Sequence, residues 1–287
     1  MLLTGSLIAD AREANCRPGV LIPKPEFQLK VQTSHRETAG GFALLAKNNE
    51  PIAVYLDVTM VQLVNLRSEH GKRFVLRIEA NSTQTLNTLT IINPAKASNF
   101  NYKADFRFTE NVTASPDREF VYELPLAAGV ESEIIQGYRG KFSHSDAENQ
   151  HALDFALPRG TAIHAARAGM VLASRSDYTS GGIDARLLNS IDSAGNFVMM
   201  LHEDGTVAHY AHLQCGGTNL RRGDRVETGD LIGYSGSTGY SHPDYPHLHF
   251  VVRLPEKNSP YGKKTIPTRF RVNGEAVELK EAGRYSR

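Results

Sequence analysis

Two histidines one residue apart, His247 and His249, are the sharpest local signal in the chain. In an extended strand, residues i and i+2 project from the same face. Both imidazoles can therefore enter one site, and imidazole is a good ligand for zinc. Alone, such a pair also describes two surface or hydrogen-bonded histidines. A second piece is Tyr210-Ala211-His212-Leu213, in another strand-like run, with His209 three residues before His212. In a regular strand these two histidines face opposite ways, so one of them can share a site with the His247/His249 pair and the other should be exposed. The third piece is Asp154, inside the apolar run from Ala152 to Leu157. A buried carboxylate is expensive unless it meets a cation or strong donors. A metal supplies both; a nearby arginine would also serve. Two histidines could accompany Asp154. His151 is three residues away and faces the other side of a regular strand, whereas His144 lies across a polar turn that leaves its direction to the fold. On geometry His144 is preferred, with His151 behind the site or at the surface.

Together these residues offer a carboxylate and several imidazoles. Catalytic zinc takes three protein ligands and keeps a fourth position open. It acidifies water and polarises a carbonyl. No His-Glu-x-x-His helix is present, so that motif's glutamate cannot be the base. A histidine must move the proton when neutral, or stabilise an oxyanion when protonated.

The elements that must hold these groups read as mainly β. Helical periodicity is scarce, and short apolar or alternating runs are punctuated by Gly, Pro, Asn and Asp. In the first half, strands are expected at Ile52 to Val58, Phe74 to Glu79, Thr88 to Ile92 and Phe120 to Leu124, a pattern that suggests a sandwich-like domain. A connector is expected near Leu126 to Glu133, giving an accessory β domain over 1–130 and a second domain over 131–287. The second half holds nine of the eleven histidines. Its expected strands are Ala162 to Ala173, Asn196 to His202, Val207 to Leu213, Leu231 to Ser235 and His247 to Leu254. A long polar loop is expected over Asp177 to Asp192, and a further strand at Arg269 to Val272 in a C-terminal extension.

The 287 residues suffice for two ordinary domains. With 40% hydrophobic and 22% charged residues, the composition is that of a globular protein. A formal net charge of +1 argues against a nucleic-acid binder. No apolar run approaches the length of a membrane span. The opening MLLTGSLIADAREANC lacks a basic start and a long apolar stretch, so it does not read as a signal peptide. Cys16 and Cys215 could form one disulfide in an oxidising compartment or remain separate thiols.

Three blocks, taken in order, carry a family resemblance: FSH followed by ALDFALPRGTAIHAARAGMV, then GNFVMMLHEDGTVAHYAHL, then LRRGDRVETGDLIGYSGSTGYSHPDYPHLHF. Over roughly Gln136 to Arg253 the chain resembles the M23 peptidases, the LytM or lysostaphin-like family. The resemblance implies a zinc centre in a groove of an antiparallel β-sheet, in a catalytic domain preceded here by a β-sandwich-like domain. It implies His144, Asp154 and His249 as zinc ligands, and His212 and His247 as the catalytic histidines. It also implies hydrolysis of amide bonds in the peptide stems or cross-bridges of peptidoglycan, hence a periplasmic or extracellular place. Many members carry the first histidine four residues before the aspartate, but position 150 is Gln here. His144 matches a branch with a longer separation, preceded by a stretch like QGYRGKFSH. A second departure is the small insertion Pro243-Asp244-Tyr245 at the lip of the groove. Some members have lost the ligands and activate other wall hydrolases; here every one of those positions holds a competent residue.

Overall fold

A computed structural model describes residues 29–109, 116–187, 192–256 and 259–287. No helix occurs among them, and none is therefore long and apolar enough to cross a membrane. The chain divides into two compact units, one of residues 27–114 with 256–260 and one containing residues 115–255 and 261–287.

The first unit holds β1 (Val31–Thr38), β2 (Gly41–Asn48), β3 (Val54–Val64), β4 (Leu66–Ser68), β5 (Arg73–Ile78), β6 (Ser82–Ile91) and β7 (Asn99–Arg107). They form two antiparallel sheets, ordered β1-β2-β6-β4 and β5-β3-β7. Period-two patterning buries Val54, Leu56, Val58 and Met60 on β3, and Leu44 and Ala46 on β2. The unit is the two-sheet β structure that the alternating runs require.

The second unit holds β8 (Val121–Tyr122), β9 (Glu131–Gln136), β10 (Leu153–Ala156), β11 (Ala162–His164), β12 (Gly169–Arg175), β13 (Asn196–Leu201), β14 (Val207–Leu213), β15 (Arg225–Val226), β16 (Leu231–Tyr234), β17 (His247–Glu256), β18 (Ser259–Ile266), β19 (Arg269–Val272), β20 (Glu275–Val277) and β21 (Arg284–Ser286). Its main sheet runs β15-β12-β13-β14-β17-β10-β9-β21, with β18 also paired to β17. One face packs the core: Leu153 and Phe155 from β10, Ala208 and Tyr210 from β14, Val198 and Met200 from β13, and Leu248, Phe250 and Val252 from β17. The intervening residues, Asp154, His209, His247 and His249, lie on the other face and are nonetheless buried. Burial on both faces of a strand is the setting in which a polar side chain needs a specific partner.

Two expectations differ in detail. Phe120 to Leu124 does not close the first half. Val121 and Tyr122 pair in parallel with Arg269 and Phe270, and Tyr122, Leu124 and Leu126 sit in the core of the second unit. The chain has thus entered that unit upstream of the connector expected at Leu126 to Glu133. The single strand expected over Ala162 to Ala173 is two strands: β11 pairs with β16 and β12 joins the main sheet. Between them Ala165 exchanges backbone hydrogen bonds with the turn at Gly229 and Asp230. A Cβ on Gly169 would stand 2.7 Å from the Leu201 carbonyl oxygen, so the close approach of β12 requires glycine there.

Candidate metal centre

Register sets the centre of the site. β10 and β17 are antiparallel neighbours, with Asp154 opposite His249 and Ala156 opposite His247. Directly paired residues project from the same face, so the carboxylate and both imidazoles of the His247/His249 pair meet. His249 Nδ1 lies 2.9 Å from Asp154 Oδ1, and His247 Nε2 lies 3.9 Å from Asp154 Oδ2. His144 comes from the turn between β9 and β10. Its Nδ1 lies 2.9 Å from the Gly137 carbonyl oxygen, and its Nε2 3.2 Å from Asp154 Oδ1. A carbonyl only accepts, so Nδ1 must carry the proton and Nε2 is left as the basic nitrogen.

His212 reaches the site by an irregularity. On β13, Asn196 pairs with Leu213 and Phe197 pairs with Ala211, leaving His212 as the extra residue of a β-bulge. Its φ is 62°. The bulge shifts the alternation by one, so Leu213 enters the core while His212 turns to the site. Its ring centroid is 4.8 Å from that of His247 and 5.7 Å from that of His249. His212 Nδ1 donates to the Thr238 carbonyl at 2.8 Å, and His247 Nδ1 donates to the Tyr245 carbonyl at 2.9 Å. By the same tautomer argument, both present a basic Nε2.

His209 corrects an expectation. Of the two β14 histidines, one should have been exposed, yet His209 and His212 are only 4% and 7% exposed. His209 pairs with Val251 and shares the site face through regular alternation; the bulge then adds His212 to that face. The His209 ring packs edge-on to Phe197 at 5.4 Å and lies 6.5 Å from the His249 ring. Neither of its ring nitrogens has a hydrogen-bond partner. Burial, and then the cationic Arg253, push its pKa well down and keep it neutral.

The charge balance centres on Asp154. Burial would raise its pKa, but His247, His144 and His249 outweigh burial and hold the carboxyl well below its usual range. Burial pulls His144 down, and the adjacent carboxylate more than reverses this. Burial lowers His249 despite Asp154. It lowers His212 strongly, aided by His247 and His249. The site thus combines an ionised carboxylate with imidazoles at His209, His212 and His249 that burial holds neutral.

His144, Asp154 and His249 each offer a ligand atom, and these atoms lie within 4.8 Å of one another. His144 Nε2 is buried, lacks a hydrogen-bond partner and faces Asp154. An unsatisfied basic nitrogen beside a buried anion is what a cation would complete. His151 stands elsewhere: half-buried, its Nδ1 lies 2.9 Å from Thr265 Oγ1. Supporting residues that sequence reasoning did not single out are Gln136 and Thr238. Gln136 Nε2 donates to Asp154 Oδ2 at 3.2 Å and to Ser143 Oγ at 2.8 Å. Both act through contacts between distant segments, which no local spacing reveals. Cys215 is disulfide-bonded, and Cys16 lies outside the described residues.

A buried carboxylate shared by one histidine from a turn and one from a neighbouring strand, with two more imidazoles beside them, places the second unit among β-sheet proteins with a metal-competent centre. Comparison makes this specific: residues 148–261 match the model of peptidase family M23. The match contains Asp154, His212, His247 and His249, and begins after His144. The chain is 35% identical over 103 residues to glycyl-glycine endopeptidase ALE-1 of Staphylococcus capitis, covering 36% of this chain and 24% of that protein. It is 33% identical over 102 residues to DD-carboxypeptidase/endopeptidase Mpg of Neisseria meningitidis, covering 36% of this chain and 19% of that protein. The solved catalytic domain of lysostaphin from Staphylococcus simulans is 26% identical, with 47% of this chain and 87% of that chain covered and a TM-score of 0.32. The chain spans about a quarter or less of the length of the curated relatives it matches.

Proposed function

We propose that this protein is a zinc-dependent endopeptidase that hydrolyses amide bonds in the peptide part of bacterial peptidoglycan. The observation that carries the reading is the convergence of His144, Asp154 and His249 with His212 and His247 beside them. Two imidazoles and a carboxylate are a donor set suited to zinc and leave a fourth position free. Bound there, zinc acidifies water and polarises a carbonyl. The remaining work falls to the chain. His212, kept neutral by burial, accepts a proton at Nε2, while the Thr238 carbonyl fixes its ring. His247, held by the Tyr245 carbonyl, faces the same space, where a protonated imidazole would stabilise the developing oxyanion, and the proton taken up by His212 passes to the leaving amine. Gln136 keeps Asp154 oriented.

The names of two relatives carry peptidase chemistries, a glycyl-glycine endopeptidase and a DD-carboxypeptidase/endopeptidase. Peptidoglycan as substrate places this protein in the periplasm or outside the cell.

The test is metal content together with digestion of purified peptidoglycan, with wild type and His249→Ala side by side. We expect about one zinc per wild-type chain and released muropeptides, with both lost in the variant. Full wall hydrolysis by His249→Ala would overturn the reading. Bound zinc without any product would favour a wall-binding regulator.

A further inference from the structure

We propose that Phe142 and Tyr240 form an aromatic clasp beside the metal centre that contacts substrate and selects for an aliphatic side chain next to the scissile amide. This inference rests on the peptidase reading above and names its substrate class. Phe142 is 59% exposed, although it is a large apolar side chain. Its ring stacks on Tyr240 with centroids 5.7 Å apart and planes 17° apart. Offset stacking of this kind leaves outer ring faces open to further contact. A phenylalanine left so exposed gains little from folding.

Each ring is registered to a different half of the centre. Phe142 precedes His144 by two residues, and two residues of chain span at most about 7 Å. The Phe142 backbone N–H donates to Gln136 Oε1 at 3.2 Å, and the same glutamine's Nε2 donates to Asp154. A Cβ at Gly140 would lie 2.3 Å from Gln136 Cγ, so the turn needs glycine to admit this glutamine. Tyr240 follows Thr238 by two residues, and the Thr238 carbonyl holds His212. Gly239 between them has a φ of +79° and would meet the Gly195 backbone nitrogen at 2.3 Å if it had a Cβ. Both aromatic positions are thus fixed by groups that also fix the ligand Asp154 and the proposed base His212. The stack joins the turn that carries one ligand to the loop that holds the base.

The open ring faces attract methyl and methylene groups. A peptide whose residues flank the scissile amide with alanyl or longer aliphatic side chains meets them; a glycine-only bridge presents no side chain. The clasp therefore assigns cross-linked stem peptides, rather than oligoglycine, as the preferred substrate class.

The experiment uses the zinc-loaded full chain with a soluble cross-linked muropeptide dimer and an oligoglycine peptide. Wild type should cleave the dimer with the higher kcat/KM. Phe142→Ala and Tyr240→Ala should raise KM for the dimer about tenfold, with kcat and zinc content held. Phe142→Leu, which keeps an apolar side chain but removes the ring, should fall between, and Tyr240→Phe should behave as wild type. Preference of wild type for oligoglycine would overturn the proposal. So would an unchanged KM in both alanine variants, equal losses in Tyr240→Phe and Tyr240→Ala, or faster turnover by Phe142→Ala, which would mark the stack as an obstruction. If zinc-loaded wild type cleaves neither peptide nor whole peptidoglycan, the peptidase reading itself fails and the clasp falls with it.

Discussion

Asp154 and His249 stand opposite each other on neighbouring antiparallel strands, with His249 Nδ1 2.9 Å from Asp154 Oδ1. The pair is set by strand register, so its geometry is as rigid as the sheet. Asp154 also meets His144 and Gln136, which makes it the residue on which the centre depends.

Asp154→Asn should therefore remove metal binding while keeping the fold, because it relieves a buried charge at nearly constant volume. Chelation should lower the Tm of zinc-loaded wild type, since a ligand that binds only the folded state stabilises it by mass action. The variant's Tm should not respond to chelator. Thermal melts with and without chelator check this, and a chelator-sensitive melt in Asp154→Asn would remove the carboxylate from the centre.

His212 makes a different demand. It is expected to hold no metal, so His212→Ala should retain zinc yet lose turnover by about 10²–10⁴-fold, the usual worth of a positioned proton acceptor. Metal content and kcat measured on the same preparation check this. Loss of zinc would instead make His212 a ligand.

The bulge can be probed without touching a histidine. A Cβ on Gly195, where φ is +60°, would stand 2.4 Å from the Thr238 carbonyl carbon. Gly195→Ala should displace Thr238 and with it the acceptor of His212 Nδ1. We expect a stability loss of about 1–3 kcal/mol and a lower kcat with zinc retained. Denaturant unfolding and steady-state kinetics decide; wild-type kcat in this variant would mean that the Thr238 carbonyl does not orient the imidazole.

His202 predicts a pH dependence away from the centre. Burial lowers its pKa from 6.5 to about 4, with the Ala168 carbonyl and Asp204 opposing, and Arg167 adding to, that shift. The folded state thus binds the proton more weakly than the unfolded state. Its stabilising contribution is complete above pH 6.5 and declines as pH falls towards 4, by about 3 kcal/mol in all. His202→Asn, which retains a donor for the Ala168 carbonyl, should flatten that part of the stability profile. Parallel unfolding curves for the metal-free proteins across this range test it; identical slopes would assign the acid loss to other groups.

Much of the site was legible in residue types and spacing. The His-x-His spacing places His247 and His249 on one face in any strand. An aspartate within an apolar run calls for a cation or donors wherever it lies. His144 could be preferred over His151 because strand alternation disfavours His151, and His151 Nδ1 lies 2.9 Å from Thr265 Oγ1. The β14 histidines were only half legible. Alternation separates His209 from His212, but a bulge, which depends on pairing with β13, brings both to one face.

The sequence by itself determined the β character, the two faces of β10 and β17, and the chemical inventory, because side-chain alternation and donor chemistry are local properties. Only the tertiary structure decided that Asp154 opposes His249, that Gln136 bridges Asp154 to the turn carrying His144, and that Thr238 orients His212. It also decided that Phe120 to Leu124 belongs with the second unit. These are relations between segments distant in the chain. Register, bulges and loop closure set them through the combined packing and hydrogen bonding of the whole sheet, to which no single stretch of sequence has access.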